Sequence, residues 1–210
     1  MLKPIKGRFT IVLAGLWNTQ IFHARWLAAH VFETEPVELQ VPTVPGLPQR
    51  FRASGVIVSP EGHQVILAPE ELETGCIEKM ERMAGKTVAL LPHTPFHAVG
   101  FNYGFKMADT DEKLLNHFED RDIDKFSDAG YRRTRYQIVR KLESDTSRLY
   151  FTAQLSGADV EFHFNYHTDT PDAQTALGVL EQGRFWSLLQ ESRHLLQFVY
   201  GLDDSEGDHE

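Results

Sequence analysis

One cysteine, Cys76, stands in a chain of 210 residues. A disulfide framework within the chain is thereby excluded, as are the cysteine pairs of a zinc site. A lone thiol suits a reducing compartment, so a cytoplasmic location is expected. No apolar run approaches the ~20 residues that cross a bilayer as a helix, so no membrane is expected either. Lys3, Lys6 and Arg8 do precede the apolar run 9–16, but Trp17, Asn18, Thr19 and Gln20 follow it in place of small residues, which argues against a secretory leader. There is also no glycine-rich phosphate loop, no His-Glu-x-x-His and no Gly-x-Ser-x-Gly. A site assembled from scattered residues is still compatible with these absences. They imply no cofactor and no metal, and they favour a non-enzymatic role.

Basic charge is scarce in the second half. Residues 1–95 carry nine Lys/Arg and nine Asp/Glu, whereas residues 96–210 carry twelve and twenty-one, so the whole net charge of −9 lies there. Such a balance argues against a sequence-independent grip on nucleic acid, which depends on neutralising phosphates. Five of the acids fall in the last eight residues, 203–210, which hold no apolar side chain and are expected to form a disordered acidic tail. The chain as a whole is 41% hydrophobic, enough to bury a sizeable core.

The stretch 96–106, FHAVGFNYGFK, reads as a strand apolar on both faces and sits near the middle of the chain. Before it, 9–16 reads as a buried strand. Phe22, Trp26, Ala29 and Phe32 recur at helical spacing over 21–32. Runs at 37–41, 51–57 and 63–68 alternate like strands. A helix is expected from Pro69, Glu70 and Glu71 to about Leu91, with Leu72, Cys76, Met80, Met83, Thr87 and Leu91 on one face. After the central strand comes a short helix at Leu114, Leu115 and Phe118, then an acidic connection over 119–130. Three further strands follow, marked by Tyr136, Ile138 and Leu142, by Leu149, Phe151, Ala153 and Leu155, and by Val160, Phe162, Phe164 and Tyr166. Beyond a loop with a short helix, a last helix runs from Gly183 to Gly201, with Phe185, Leu188, Leu189, Ser192, Leu195, Leu196 and Val199 on one stripe.

The expected fold class is therefore α+β. Two β-α-β-β-β-α units, 1–92 and 93–202, would join in one curved antiparallel sheet with helices on one face, the first strand of each unit at the centre. In topology this resembles the duplicated saddle of the TATA-box-binding protein. No shared motif carries the likeness, and it implies no function. Edge strands are expected near 63–68 and 161–167, where self-association could add strands.

Candidate binding residues come from the face opposite the core on the last three strands. They are Arg133, Arg135, Arg148, Tyr150, Gln154, Glu161, His163, Asn165 and His167, with Gln137 and Thr152 among them. Arginine forks suit carboxylates and phosphates. His163 and His167 are four apart on an alternating strand, hence about 13 Å apart, too far to share one metal. A pocket using His93, His97, Asn102 or Tyr103 is a lesser candidate. Cys76, Trp26 and Trp186 are read as core. The favoured function is a non-enzymatic binding or scaffolding protein that engages a protein partner or itself, as in a subunit of a larger assembly. A nucleic-acid-binding protein using a basic-aromatic sheet face is the alternative, ahead of a hydrolase or nuclease built on His163 and Glu161.

Overall fold

The computed structural model of the chain describes residues 1–202 except 45, 109, 111, 119–121 and 145–146. The predicted tail, 203–210, and part of the acidic connection lie outside the described residues. Strands β1 (Leu2–Pro4) and β2 (Thr10–Gly15) are followed by α1 (Ala24–Leu27), which continues as a π-helical turn over Ala28–Phe32. Next come β3 (Glu38–Gln40), β4 (Arg50–Ala53), β5 (Val56–Glu61), β6 (Gln64–Pro69) and α2 (Thr74–Leu90). The long strand β7 (Phe96–Met107) precedes α3 (Glu112–Leu115) and α4 (Ile123–Asp128). Then β8 (Tyr136–Glu143), β9 (Arg148–Ser156), β10 (Asp159–Asp169), α5 (Ala173–Val179) and α6 (Arg184–Tyr200) complete the fold.

Among the described residues these ten strands make one antiparallel sheet, in the order β3-β4-β5-β6-β2-β7-β10-β9-β8, with β1 paired to the far end of β7. The mixed helix and antiparallel-sheet class is the one predicted. The edges are not. Residues 63–68 and 161–167 were expected there, but β6 lies between β5 and β2, and β10 lies between β7 and β9. The edges are the short β3 and the eight-residue β8. Three helical expectations also shift. Helix 21–32 is broken into a 3₁₀ turn, α1 and the π-helical turn. Pro69 closes β6 instead of opening α2, and α4 forms within the acidic connection.

Alternation decides which face is covered. Ile11 and Leu13 of β2, Val65 and Leu67 of β6, Phe101, Tyr103 and Phe105 of β7, and Phe162, Phe164 and Tyr166 of β10 are all buried. They meet Ile77, Met80, Met83 and Ala84 of α2 and Phe185, Leu188 and Leu196 of α6. Each such side chain stabilises the fold by ~2 kcal/mol relative to exposure, so a one-residue slip of any strand is strongly opposed. No helix among the described residues is long and apolar enough to cross a membrane.

The β4–β5 hairpin yields a direct test of local fit. Its two-residue loop, Ser54-Gly55, holds both residues at left-handed φ, 54° and 80°, as a tight hairpin requires. A Cβ at Gly55 would sit 2.7 Å from Cys76 Sγ. Gly55→Ala should therefore destabilise by about 2 kcal/mol, part from backbone strain and part from the collision. Cys76→Ala in the same chain should restore the collision part, read as a positive coupling in a urea-unfolding double-mutant cycle. Simple additivity would refute the contact.

Candidate functional site

The face of the sheet away from the helices carries a groove of about 520 Å³ that crosses its centre. Its shape follows from β7, whose residues on this face are Ala98, Gly100, Asn102, Gly104 and Lys106. Glycine on either side of Asn102 leaves a trough. Register then sets the neighbours. Asn102 lies opposite Thr10 on one side and Asn165 on the other, and Asn165 lies opposite Tyr150. Asn165 Nδ2 donates to Asn102 Oδ1 at 2.5 Å, and Asn102 Nδ2 donates to Thr10 Oγ1 at 3.0 Å. This ladder uses only part of its capacity, since the Asn165 carbonyl oxygen and one proton on each amide nitrogen remain for a ligand.

The two halves of the floor differ. Toward β5 and β6 it is largely apolar, with Val12, Ile57, Ile66 and Ala68 each half-buried, and β5 adds the Ser59 hydroxyl and the Glu61 carboxylate, which accepts from Gln64 Nε2 at 2.8 Å and lies 3.3 Å from His63 Nε2. Toward β9 and β10 it is polar, with Tyr150, Thr152, His163 and Asn165. Two exposed cations stand on the walls. Arg50, at the start of β4, forms one wall. Arg8 comes from the loop between β1 and β2, pinned where Ile5 N donates to Gly104 O at 2.8 Å and Arg8 N donates to Ile5 O at 3.0 Å. The Arg8 stem lies directly over Gly104, where a Cβ would fall 2.5 Å from Arg8 Cβ. Neither guanidinium makes a hydrogen bond or ion pair with the described residues, whereas the other cations of this face are mostly paired. Lys106 meets Asp159, Lys141 meets Glu143, Arg148 meets Asp169, and Arg52 meets Glu70.

The sequence candidates divide into four groups. Tyr150, His163 and Asn165 line the groove, and Glu161 holds His163, their side chains 3.3 Å apart. Arg148 and His167 meet at Asp169, where His167 Nε2 is 3.0 Å from the carboxylate, at the end of the sheet. Arg135 donates to Gln154 beside the edge strand β8. Arg133 is turned to the helix side, donating to Phe118 O and lying over the Tyr136 ring. Tyr103 is buried in the core, and exposed His97 sits at a register shift near the start of β7, five residues from Asn102, so the lesser candidate pocket is not assembled. Trp186, read as core, is 39% exposed. Cys76 is half-buried.

Burial, and after it the neighbouring Arg8 charge, hold the His163 imidazole below the ordinary histidine range. Burial and then Arg148 do the same for His167. Both rings are therefore neutral near pH 7. No serine, threonine or cysteine among the described residues is hydrogen-bonded to His163, and no cluster of three His, Cys, Asp or Glu among them could hold a metal ion. On the helix side, a smaller apolar crevice of about 180 Å³ lies between Leu142, Leu149, Leu195 and Val199.

Thr10, Arg8 and Arg50 are absent from the sequence-based candidates, and Asn102 enters them only for the lesser pocket with His93, His97 or Tyr103. Their place in the site depends on β2, β4 and β7 being brought beside β10, and periodicity does not reveal strand order. The chain matches no protein-family model, and neither a curated protein nor a solved structure matches it.

Proposed function

We propose that this chain is a non-enzymatic binding protein that engages a protein partner in the groove on the open face of its sheet. One observation carries the reading. The centre of the sheet presents a trough with unspent hydrogen-bonding groups and two uncommitted arginines, beside apolar side chains left half-exposed. A solvated face with no ligand has no need of Val12, Ile57 and Ile66 there. The hydrolase alternative has a carboxylate-oriented imidazole in His163 but no nucleophile bonded to it. The nucleic-acid alternative is weakened by pairing, because Lys106, Lys141, Arg148 and Arg52 already have carboxylate partners. A role as a subunit of a cytoplasmic assembly fits the lone thiol of Cys76.

We also infer that the fold is a duplication of units 1–92 and 93–202, with a saddle-like topology resembling that of the TATA-box-binding protein. The strand order supports this, since β4-β5-β6-β2 and β8-β9-β10-β7 mirror each other about the β2–β7 pair. On that reading the groove lies over the junction of the two units.

Photo-crosslinking in the host of origin tests the binding role. A photoreactive phenylalanine at Thr152, on the groove, should yield a discrete protein adduct. The same group at Gln190, exposed on α6, should not. Equal adducts from both positions, or none from 152, would overturn the proposal.

A further inference from the structure

We infer that the groove recognises an acidic peptide segment, taken across the strands, with its carboxylates held by Arg8 and Arg50. This deepens the reading above and rests on it. The inference begins from the two guanidiniums. Both are exposed, both line the same groove, and neither has a carboxylate partner among the described residues, on a face where other cations do. Arg8 is also positioned with care. Its loop is tied to β7 at Gly104, and its stem rests where any larger residue would displace it. A guanidinium fork so placed favours a carboxylate, bound through two parallel hydrogen bonds.

The floor supplies the remainder. The Asn102 and Asn165 amides and the Tyr150 hydroxyl offer both donors and acceptors, as a peptide backbone demands. Val12, Ile57, Ile66 and Ala68 offer contact for an apolar side chain beside the acid. The strands under the groove are all paired on both edges, so the ligand cannot join the sheet as an added strand. It must be read by side chains, and its main chain must cross the strands. A phosphate backbone is the poorer match, since two free cations neutralise few phosphates.

The test uses the full chain and a phage-displayed library of dodecapeptides, with the best binder then titrated by calorimetry. Selected peptides should be enriched in Asp and Glu next to an apolar residue. Arg8→Glu with Arg50→Glu should weaken the best peptide more than about tenfold, while Arg8→Lys with Arg50→Lys should retain part of the affinity. Added salt should weaken binding to the native chain. Since neither arginine bonds to the described residues, the fold of both variants should persist, checked by circular dichroism. Selected peptides without acidic enrichment, or with unchanged affinity for the Arg→Glu variant, would overturn the inference. If those peptides still compete with one another and are lost on Asn102→Leu, the groove remains a binding site and only its acidic specificity fails. If no peptide responds to any groove variant, both readings fail. A twelve-residue oligothymidylate that binds more tightly than every peptide, and is lost on Arg8→Glu with Arg50→Glu, would also overturn the inference by assigning the arginines to phosphate.

Discussion

Replacing Glu81 by alanine is expected to destabilise the protein by about 3 kcal/mol and to lower its melting temperature by on the order of 10 °C. Glu81 is a charged residue in the middle of α2, only 4% exposed. Its two carboxylate oxygens accept from the backbone of another element more than a hundred residues away. Gly183 N donates to Oε2 at 3.0 Å, and Phe185 N donates to Oε1 at 2.6 Å. These are the amides of the N-cap and of the second residue of α6, which no N-cap side chain can satisfy because that position is Gly183, while the Arg184 amide between them donates to Glu181 O at 3.1 Å. A carboxylate at this end also meets the positive pole of the helix. The Phe185 carbonyl is held as well, by the Tyr103 hydroxyl at 2.7 Å. The start of α6 is thus clamped between α2 and β7. Substitutions should follow an order set by what is left for the two amides. Glutamine keeps one neutral acceptor and should cost least. Alanine opens the adjacent crevice, lined by Thr74, Ile77, Gln182 and Trp186, so that water can reach the amides in part. Leucine fills the space with apolar surface and should cost most. Urea unfolding of the three variants checks the order, and a loss below about 1 kcal/mol for Glu81→Leu would show that the cap contributes little.

The clamp was not legible in the sequence, and the reason is physical. Met80, Met83 and Thr87 mark the buried face of α2 by their spacing, but a glutamate beside them looks like the edge of the solvated face. Only the long-range geometry shows what it serves. A faint signal existed at the other end, since α6 begins after a glycine and lacks the usual Ser, Thr, Asp or Asn. The central strand was legible as an apolar stretch with nothing in it to favour a helix, but it is not apolar on both faces, since Val99, Phe101, Tyr103 and Phe105 face the core while Gly100, Asn102, Gly104 and Lys106 face the groove side. The β10 alternation at Val160, Phe162, Phe164 and Tyr166 was equally clear, yet it misled about position. Alternation reports that one face is wet and says nothing about whether a strand has one neighbour or two. Half of the groove was missed for the same reason. Tyr150, His163 and Asn165 could be placed on one face from three consecutive strands joined by short turns. Thr10, Arg50 and Asn102 become their neighbours only once β2, β6 and β7 are known to adjoin.

Above about pH 10 the stability should fall steeply, because two buried tyrosines keep protons that the unfolded chain gives up. Burial holds the Tyr103 phenol well above the ordinary tyrosine range, with the nearby Tyr166 and the Glu81 carboxylate opposing its ionisation further. Burial also raises Tyr166, against an opposing hydrogen bond from Ser192. The sign follows from the direction of both shifts. Below the unfolded tyrosine value both states are protonated and the contribution is whole. Above it the unfolded chain binds fewer protons, so unfolding is favoured by about 1.4 kcal/mol per pH unit for each tyrosine until the folded value is passed. Two such groups give a slope of about 2.7 kcal/mol per pH unit, enough to exhaust ordinary domain stability within a few units. Tyrosinate absorbance should rise together with the loss of circular dichroism in this step. The two Phe variants divide the effect. Tyr103→Phe also strips the Phe185 carbonyl of its donor, so it lowers stability at neutral pH as well as reducing the slope. Tyr166→Phe removes hydroxyl contacts to Ser192 and Glu191 but leaves Ser192 Oγ donating to Leu188 O at 2.9 Å, so near pH 7 it should cost less than Tyr103→Phe while removing about half of the alkaline slope. A urea midpoint that stays level from about pH 9 to about pH 11 would mean that these phenols ionise inside the fold. In that case the core around Tyr103, Tyr166 and Phe185 must admit water or a compensating cation.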